Sequence, residues 1–167
     1  MPYEWTLYFS LFLALWSAVI GGVFSAFSEF IMAGLLRTSP TAGVDTMQQI
    51  NRTVIKTQFV AGLILIAPLS IAFAIYGYAQ LDGLAHTAIL LAPIIYVPTV
   101  FLMTIFGNVP MNNKLDRLDP KTSEAETYWI RYGRVWTRLN HFRTLGSVIT
   151  AMLYLAAAVA IVAGGSV

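Results

Sequence analysis

FVAGLILIAPLSIAFAIYGY (Phe59–Tyr78), AQLDG (Ala79–Gly83) and LAHTAILLAPIIYVPTVFLMTIF (Leu84–Phe106) follow one another without a Lys, Arg or Glu. A helix rising 1.5 Å per residue needs roughly 20 apolar residues to cross a hydrocarbon layer about 30 Å thick. Each run reaches that length, and the short link between them holds Asp82 and Gly83, a turn signal. The stretch reads as an antiparallel hairpin of two membrane-spanning helices.

Two further runs qualify: Trp5–Leu36, interrupted only by Glu29, and Thr144–Ala163. The length of the first allows tilt or projection beyond the bilayer. Met1–Trp5 lacks the basic start of a signal peptide, so the run reads as a retained helix. Lipid offers the backbone no hydrogen bonds, which leaves helices or a closed barrel. A barrel requires apolar and polar residues to alternate, and Leu63–Ile66 and Ala156–Ala160 do not. The expected fold is all-α: one integral membrane domain over residues 1–167, a four-helix bundle with spans near 5–36, 59–78, 84–106 and 144–163. Charged residues make up only 11% of the chain, too few to cover a water-facing surface. Pro68, Pro93 and Pro98 lie inside spans and are expected to shape helices rather than gate them.

The charges are distributed unevenly. Arg37, Arg52 and Lys56 lie in the connector 37–58. Lys114, Arg117, Lys121, Arg131, Arg134, Arg138 and Arg143 lie in the connector 107–143, which completes the ten Lys and Arg of the chain. Basic loops stay in the cytoplasm. Both connectors are therefore expected there and both termini outside, with a bacterial inner membrane as the expected location.

The connectors carry structure of their own. Val44–Lys56 reads as a short helix. Thr122 or Ser123, followed by Glu124 and Glu126, marks a helix start and predicts a cytoplasmic helical extension that runs unbroken into the fourth span. On a period of 3.6 residues, Trp129, Tyr132, Trp136, Leu139, Asn140 and Arg143 share an arc of about 100°. Arg131, Arg134, Arg138 and His141 fall opposite, on a solvated or headgroup-facing side. The three aromatics suit interface packing as well as a ligand pocket.

Arg143 thus stands with the inward face, where a buried guanidinium needs partners. Glu29 is the lone acid of the first span, about 12 Å along the helix from Arg37. The pair is expected to meet, as a structural clasp or as a functional site. Gln48 and Asn51 share a helical face, Asn108 and Asn112 flank Pro110, and Asn140 joins the aromatic side. Together these amides are expected to line a polar-ended pocket with Tyr132 and Trp136. There is no Cys, and His86 and His141 lack ligand spacing. No metal or other cofactor is expected, with a single-His haem site as a weaker alternative. Phosphate-loop and Ser-His-Asp patterns are missing, and the few membrane-proximal basic residues argue against nucleic acid as a partner.

Four segments carry a resemblance: Gly22–Met32, Met47–Asn51, Asn108–Leu115 and Trp136–Thr144. In that order they resemble the anthrone-oxygenase-like family of small four-helix membrane proteins, and the resemblance covers nearly the whole chain. It implies oxidation of an anthrone-like or other aromatic polyketide with O2, without a cofactor. In that scheme Glu29 is the base, Arg143 and Asn140 stabilise the enolate, and Tyr132 and Trp136 hold flat rings. A tight Glu29–Arg143 pair would weaken that base. The alternatives are a non-catalytic accessory or a lipid- or quinone-binding protein, and, more remotely, a transporter. The expected partners are the lipid bilayer and a hydrophobic or aromatic small molecule, and an oligomer remains compatible.

Overall fold

The structure, a computed structural model, describes residues 2–164. Met1 and residues 165–167, the extreme ends of the chain, lie outside the described residues. Helix α1 runs Pro2–Ala26, widens into a π-helix over Phe27–Ile31 and ends as Met32–Leu35. Helix α2 is Pro40–Val54 and α3 is Gln58–Gln80. Helix α4 covers Gly83–Asp116, with π-helical turns at Val97–Leu102 and Thr104–Asn108. Helix α5 is a single helix of 42 residues, Ser123–Gly164. There is no strand among the described residues, and α1, α3, α4 and α5 are each long and apolar enough to cross a membrane. The chain is an all-α integral membrane bundle.

Local chemistry explains where the helices begin. The Ser39 hydroxyl accepts from Ala42 N at 3.3 Å and Pro40 occupies the first turn, so α2 starts four residues before the expected Val44. Thr122 Oγ1 accepts from Ala125 N at 3.2 Å, with Glu124 and Glu126 in the first turn of α5. In the α3–α4 turn, Gly83 takes φ 63°, a conformation that suits glycine. His86 Nδ1 lies 3.0 Å from Leu81 O and 3.2 Å from Gly77 O, bonded into this turn. Pro98 sits where α4 widens, and Thr99 and Thr104 donate their hydroxyls to Ile95 O and Val100 O. A missing proline N–H and competing side-chain donors are recognised causes of such a bulge.

Helices α1 and α5 make the most extensive contact of the bundle, antiparallel, with Gly21 facing Ser147 and Ser28 bonded to Asn140. Leu13, Ile20, Phe73, Ile89, Tyr96 and Tyr154 fill the core between the spans. Outside it, Leu15, Ile75, Ile94, Met152 and Val159 are exposed. An apolar exterior around a core containing Ser10, Ser17, Ser70 and Thr150 is stable in lipid and not in water.

At 1.5 Å per residue α5 is about 63 Å long, twice the thickness of a hydrocarbon layer. Its N-terminal half therefore projects beyond the apolar slab. There it packs with α2, the end of α1 and the end of α4 around a second core: Met32, Val44, Met47, Leu115, Trp129, Tyr132 and Trp136. Gln48 Nε2 ties α2 to this cap by donating to Leu115 O and Leu118 O, both at 2.9 Å. Arg131, Arg134, Arg138 and His141 are exposed, whereas Trp129, Tyr132, Trp136, Asn140 and Arg143 are buried, the two faces that the helical period requires.

Gly43 in α2 allows the closest approach within the cap: a Cβ there would lie 2.8 Å from the Trp129 ring. Overfilling of this kind costs about 1–3 kcal/mol. Gly43→Ala is expected to lower the thermal midpoint in detergent by several degrees, read by tryptophan fluorescence. An unchanged midpoint would contradict the contact.

Candidate functional site

Where α3 and α4 part toward the connector end of the bundle, they leave a cavity of about 330 Å³. Phe24 and Phe27 of α1, Met47, Ile50 and Asn51 of α2, Phe59 and Leu63 of α3, and Thr104, Asn108 and Asn112 of α4 form its walls. Trp136 and Arg143 of α5 complete it. The volume lies in the range of small-molecule sites. Two of the three π-helical stretches border it: Phe27–Ile31 contributes Phe27, and Thr104–Asn108 contributes Thr104, Ile105 and Asn108. The rim includes the exposed apolar residues Ile55, Ile64, Ile105 and Val109, together with Arg52 and Asp116, paired at 2.7 Å. A larger groove of about 580 Å³ between α3 and α4, lined by Ile71, Ile75, Pro93 and Ile94 among others, lies on the apolar exterior and offers little polar surface.

Arg143 is only 5% exposed. Its guanidinium carbon lies 4.1 Å from the centre of the Phe24 ring and 5.4 Å from that of Trp136, so aromatic faces supply part of its solvation. Nη2 donates to Asn140 Oδ1 at 2.5 Å and Nη1 to Thr104 Oγ1 at 3.3 Å, while Nε has no partner. The ion pair found among the described residues is Arg52–Asp116, so no carboxylate neutralises Arg143. Asn140 is completely buried and spends its other end on α1, donating Nδ2 to Phe24 O and Ser28 Oγ. It positions the guanidinium from behind rather than lining the cavity.

The remaining amides divide by role. Asn112 Oδ1 accepts from Tyr132 Oη at 2.7 Å and from Trp136 Nε1 at 2.9 Å. An indole nitrogen only donates, which fixes the amide orientation and leaves Nδ2 as the free group. Trp129, Tyr132 and Trp136 stack in sequence, with centroids 5.6 and 5.9 Å apart. Tyr132 therefore supports the wall from the cap, and Trp136 is part of the wall. Asn108, 1% exposed, donates Nδ2 to Trp136 O at 3.3 Å, while its Oδ1 has no partner. Asn51 lines the cavity and its side chain lies against the Tyr132 hydroxyl. Gln48 does not reach the cavity, because both of its bonds go to the α4 end.

Glu29 requires a correction. Its neighbour Ser28 is buried against Asn140, and the helical turn carries Glu29 to the exposed side of α1. The expected ion pair with Arg143 is not formed. Thr104 and Phe24, both in contact with Arg143, were not foreseen. Their only sequence signal is ordinary membrane-helix composition.

The result is a buried cation without a carboxylate partner beside an aromatic chamber whose lining also includes Asn51, Asn108 and Asn112. Such a site suits a flat molecule with an anionic or strongly polarised oxygen. No curated protein and no solved structure shows significant similarity to the chain. The sequence profile of the anthrone oxygenase family matches residues 52–153, which include Asn108, Asn112, Tyr132, Trp136, Asn140 and Arg143 and leave out Glu29, Gln48 and Asn51. With well over half of its length matched, the chain belongs to the anthrone oxygenase family.

Proposed function

We propose that the chain is an oxygenase for a lipid-soluble aromatic ketone of the anthrone type, with the Arg143 cavity as its active site. The observation that carries this reading is Arg143 itself: buried, free of any carboxylate partner, and facing an aromatic cavity. An anthrone has an acidic CH2 between two rings, and loss of a proton places negative charge on the ketone oxygen. A fixed guanidinium acts where that charge develops and stabilises the enolate more than the ketone. The proton leaves through the rim, where Asp116 is the carboxylate among the lining residues.

The electron-rich enolate then transfers an electron to O2, and recombination of the radicals forms a C–O bond as a peroxide. Protonation gives the hydroperoxide, and loss of the remaining C–H proton with cleavage of O–O releases water and leaves a carbonyl. The balance is one CH2 and one O2 to one C=O and one H2O, with no external reductant. Arg143 and Asn112 hold the oxygen, Asn140 positions Arg143, and Trp136, Phe24 and Phe27 hold the rings.

Purified protein in nanodiscs, given an anthrone in air, is expected to form anthraquinone and consume O2 one to one, faster than autoxidation in empty nanodiscs. Arg143→Ala should reduce the enzymatic rate by about 100-fold or more, the scale of losing one preorganised donor to a developing oxyanion. Glu29→Gln should leave it unchanged. Wild-type rates equal to background would defeat the oxygenase reading. Saturable binding without O2 uptake would instead favour a non-catalytic binder, a second reading supported by the apolar rim at Ile55, Ile64 and Ile105.

The gathering of all ten basic side chains in the two connectors supports a cytoplasmic position for them, in a bacterial inner membrane, with the termini outside. An alkaline phosphatase reporter should be active when fused after Val167 and inactive after Lys121. The opposite pattern would invert the orientation.

A further inference from the structure

Four apolar residues belong both to the cavity wall and to the outer surface. Ile55, Ile64, Ile105 and Val109 line the void, yet each keeps at least 40% of its surface exposed. The void therefore meets the exterior along them. Its inner end is different: Phe24, Asn108, Trp136 and Arg143 are each 5% exposed or less. The cavity is a pouch, closed around the guanidinium and open beside Ile64 of α3 and Ile105 of α4.

The surroundings of this mouth are apolar. Both α3 and α4 are long and apolar enough to span a membrane. Arg143, which donates to Thr104 Oγ1 of α4, is flanked on α5 by Phe142 and Leu145, both more than half exposed. Next to Ile105, Phe106 is 76% exposed. The charges of the rim, Arg52 and Asp116, lie toward the connectors and pair with each other at 2.7 Å. An apolar exterior of this kind faces acyl chains rather than water. On the connector side the cavity is covered by α2, which supplies Met47, Ile50 and Asn51 to the wall and is held down by Gln48. The way in is the gap between α3 and α4. An anthrone-type ketone partitions into hydrocarbon, so the phase beside the mouth is the phase that holds such a substrate.

We propose that the gap between α3 and α4 is a lateral portal through which an aromatic ketone enters the Arg143 cavity from the bilayer, with Ile64 and Ile105 at its edges. The proposal rests on the cavity being the substrate site described above, and it concerns the route in rather than the reaction. A residue at an entrance acts on arrival and departure alike, because both pass the same point. Narrowing the entrance slows both rates and moves their ratio, the affinity, much less. A residue that holds the bound ring acts chiefly on departure, so the two rates together separate portal from wall.

The test has two arms, both on the full chain in nanodiscs. The chain has no Cys, so a nitroxide can be attached singly at Ile64→Cys or Ile105→Cys. Its collisions with O2, which concentrates in hydrocarbon, are compared with those of a water-soluble nickel chelate. Both positions are expected to match Leu15→Cys on the exposed face of α1 and to differ from Lys121→Cys in the connector. In the second arm, binding and release of anthraquinone are followed by stopped-flow quenching of tryptophan fluorescence, with empty nanodiscs as the blank. Ile64→Phe combined with Ile105→Phe should slow both rates by about tenfold, with a much smaller change in affinity. Leu15→Phe should change neither. Water-type collisions at either portal position, or unaltered rates in the double variant, would overturn the portal and leave the oxygenase reading standing. The nitroxide arm decides even where the double variant fails to fold. If anthraquinone does not bind to wild type at all, the Arg143 cavity falls as the substrate site and the portal falls with it.

Discussion

One amide holds the molecule together at the level where its apolar slab ends. Asn140 donates to Phe24 O and Ser28 Oγ on α1 and accepts from Arg143 on its own helix. A buried polar group must be paired to be tolerated, and here the pairing also sets the register of the two longest-contacting helices. Phe24, kept in place by the same bonds, provides the ring face over the Arg143 guanidinium. Removing this amide would leave two acceptors on α1 without their donor and the guanidinium without its orienting partner.

The cavity beside this node is a consequence of helix irregularity. Regular α-helices packed side by side leave few voids. Here α1 and α4 both widen into π-helical turns at the same level, and α4 parts from α3 below Pro98. The space is closed from the connector end by α2, which the Gln48 bonds and the Gly43–Trp129 contact hold down. The exposed Arg52–Asp116 pair adds little energy, but it bridges the two helices that form the rim. The fold thus builds an aromatic chamber bordered by Phe24, Trp136 and Arg143.

Much of the bundle was legible in the chain. Four apolar runs, the Asp82–Gly83 turn and the start of α5 near Thr122 all appear as expected, because span length, turn chemistry and capping act over a few residues. The inward face of α5 was equally legible, since a 3.6-residue period separates Trp129, Tyr132, Trp136, Asn140 and Arg143 from Arg131, Arg134, Arg138 and His141. Within the site, Asn51, Asn108, Asn112, Trp136 and Arg143 do line one cavity. Tyr132 and Asn140 stand behind it, and Gln48 is a structural tie.

Glu29 marks the boundary of such reasoning. A lone acid in a long apolar run attracts a lone inward arginine on paper, yet charge says nothing about azimuth. Residue types and their local spacing determined that this chain crosses a membrane, where its helices begin, and which face of α5 turns inward. Tertiary structure alone decided that Ser28 and not Glu29 meets Asn140, that Phe24 and Thr104 rather than a carboxylate surround Arg143, and that an open chamber exists at all. Those outcomes depend on how one helix is rotated and widened against another. That is settled by the packing of many side chains from distant parts of the chain, none of which is visible in the segment it positions.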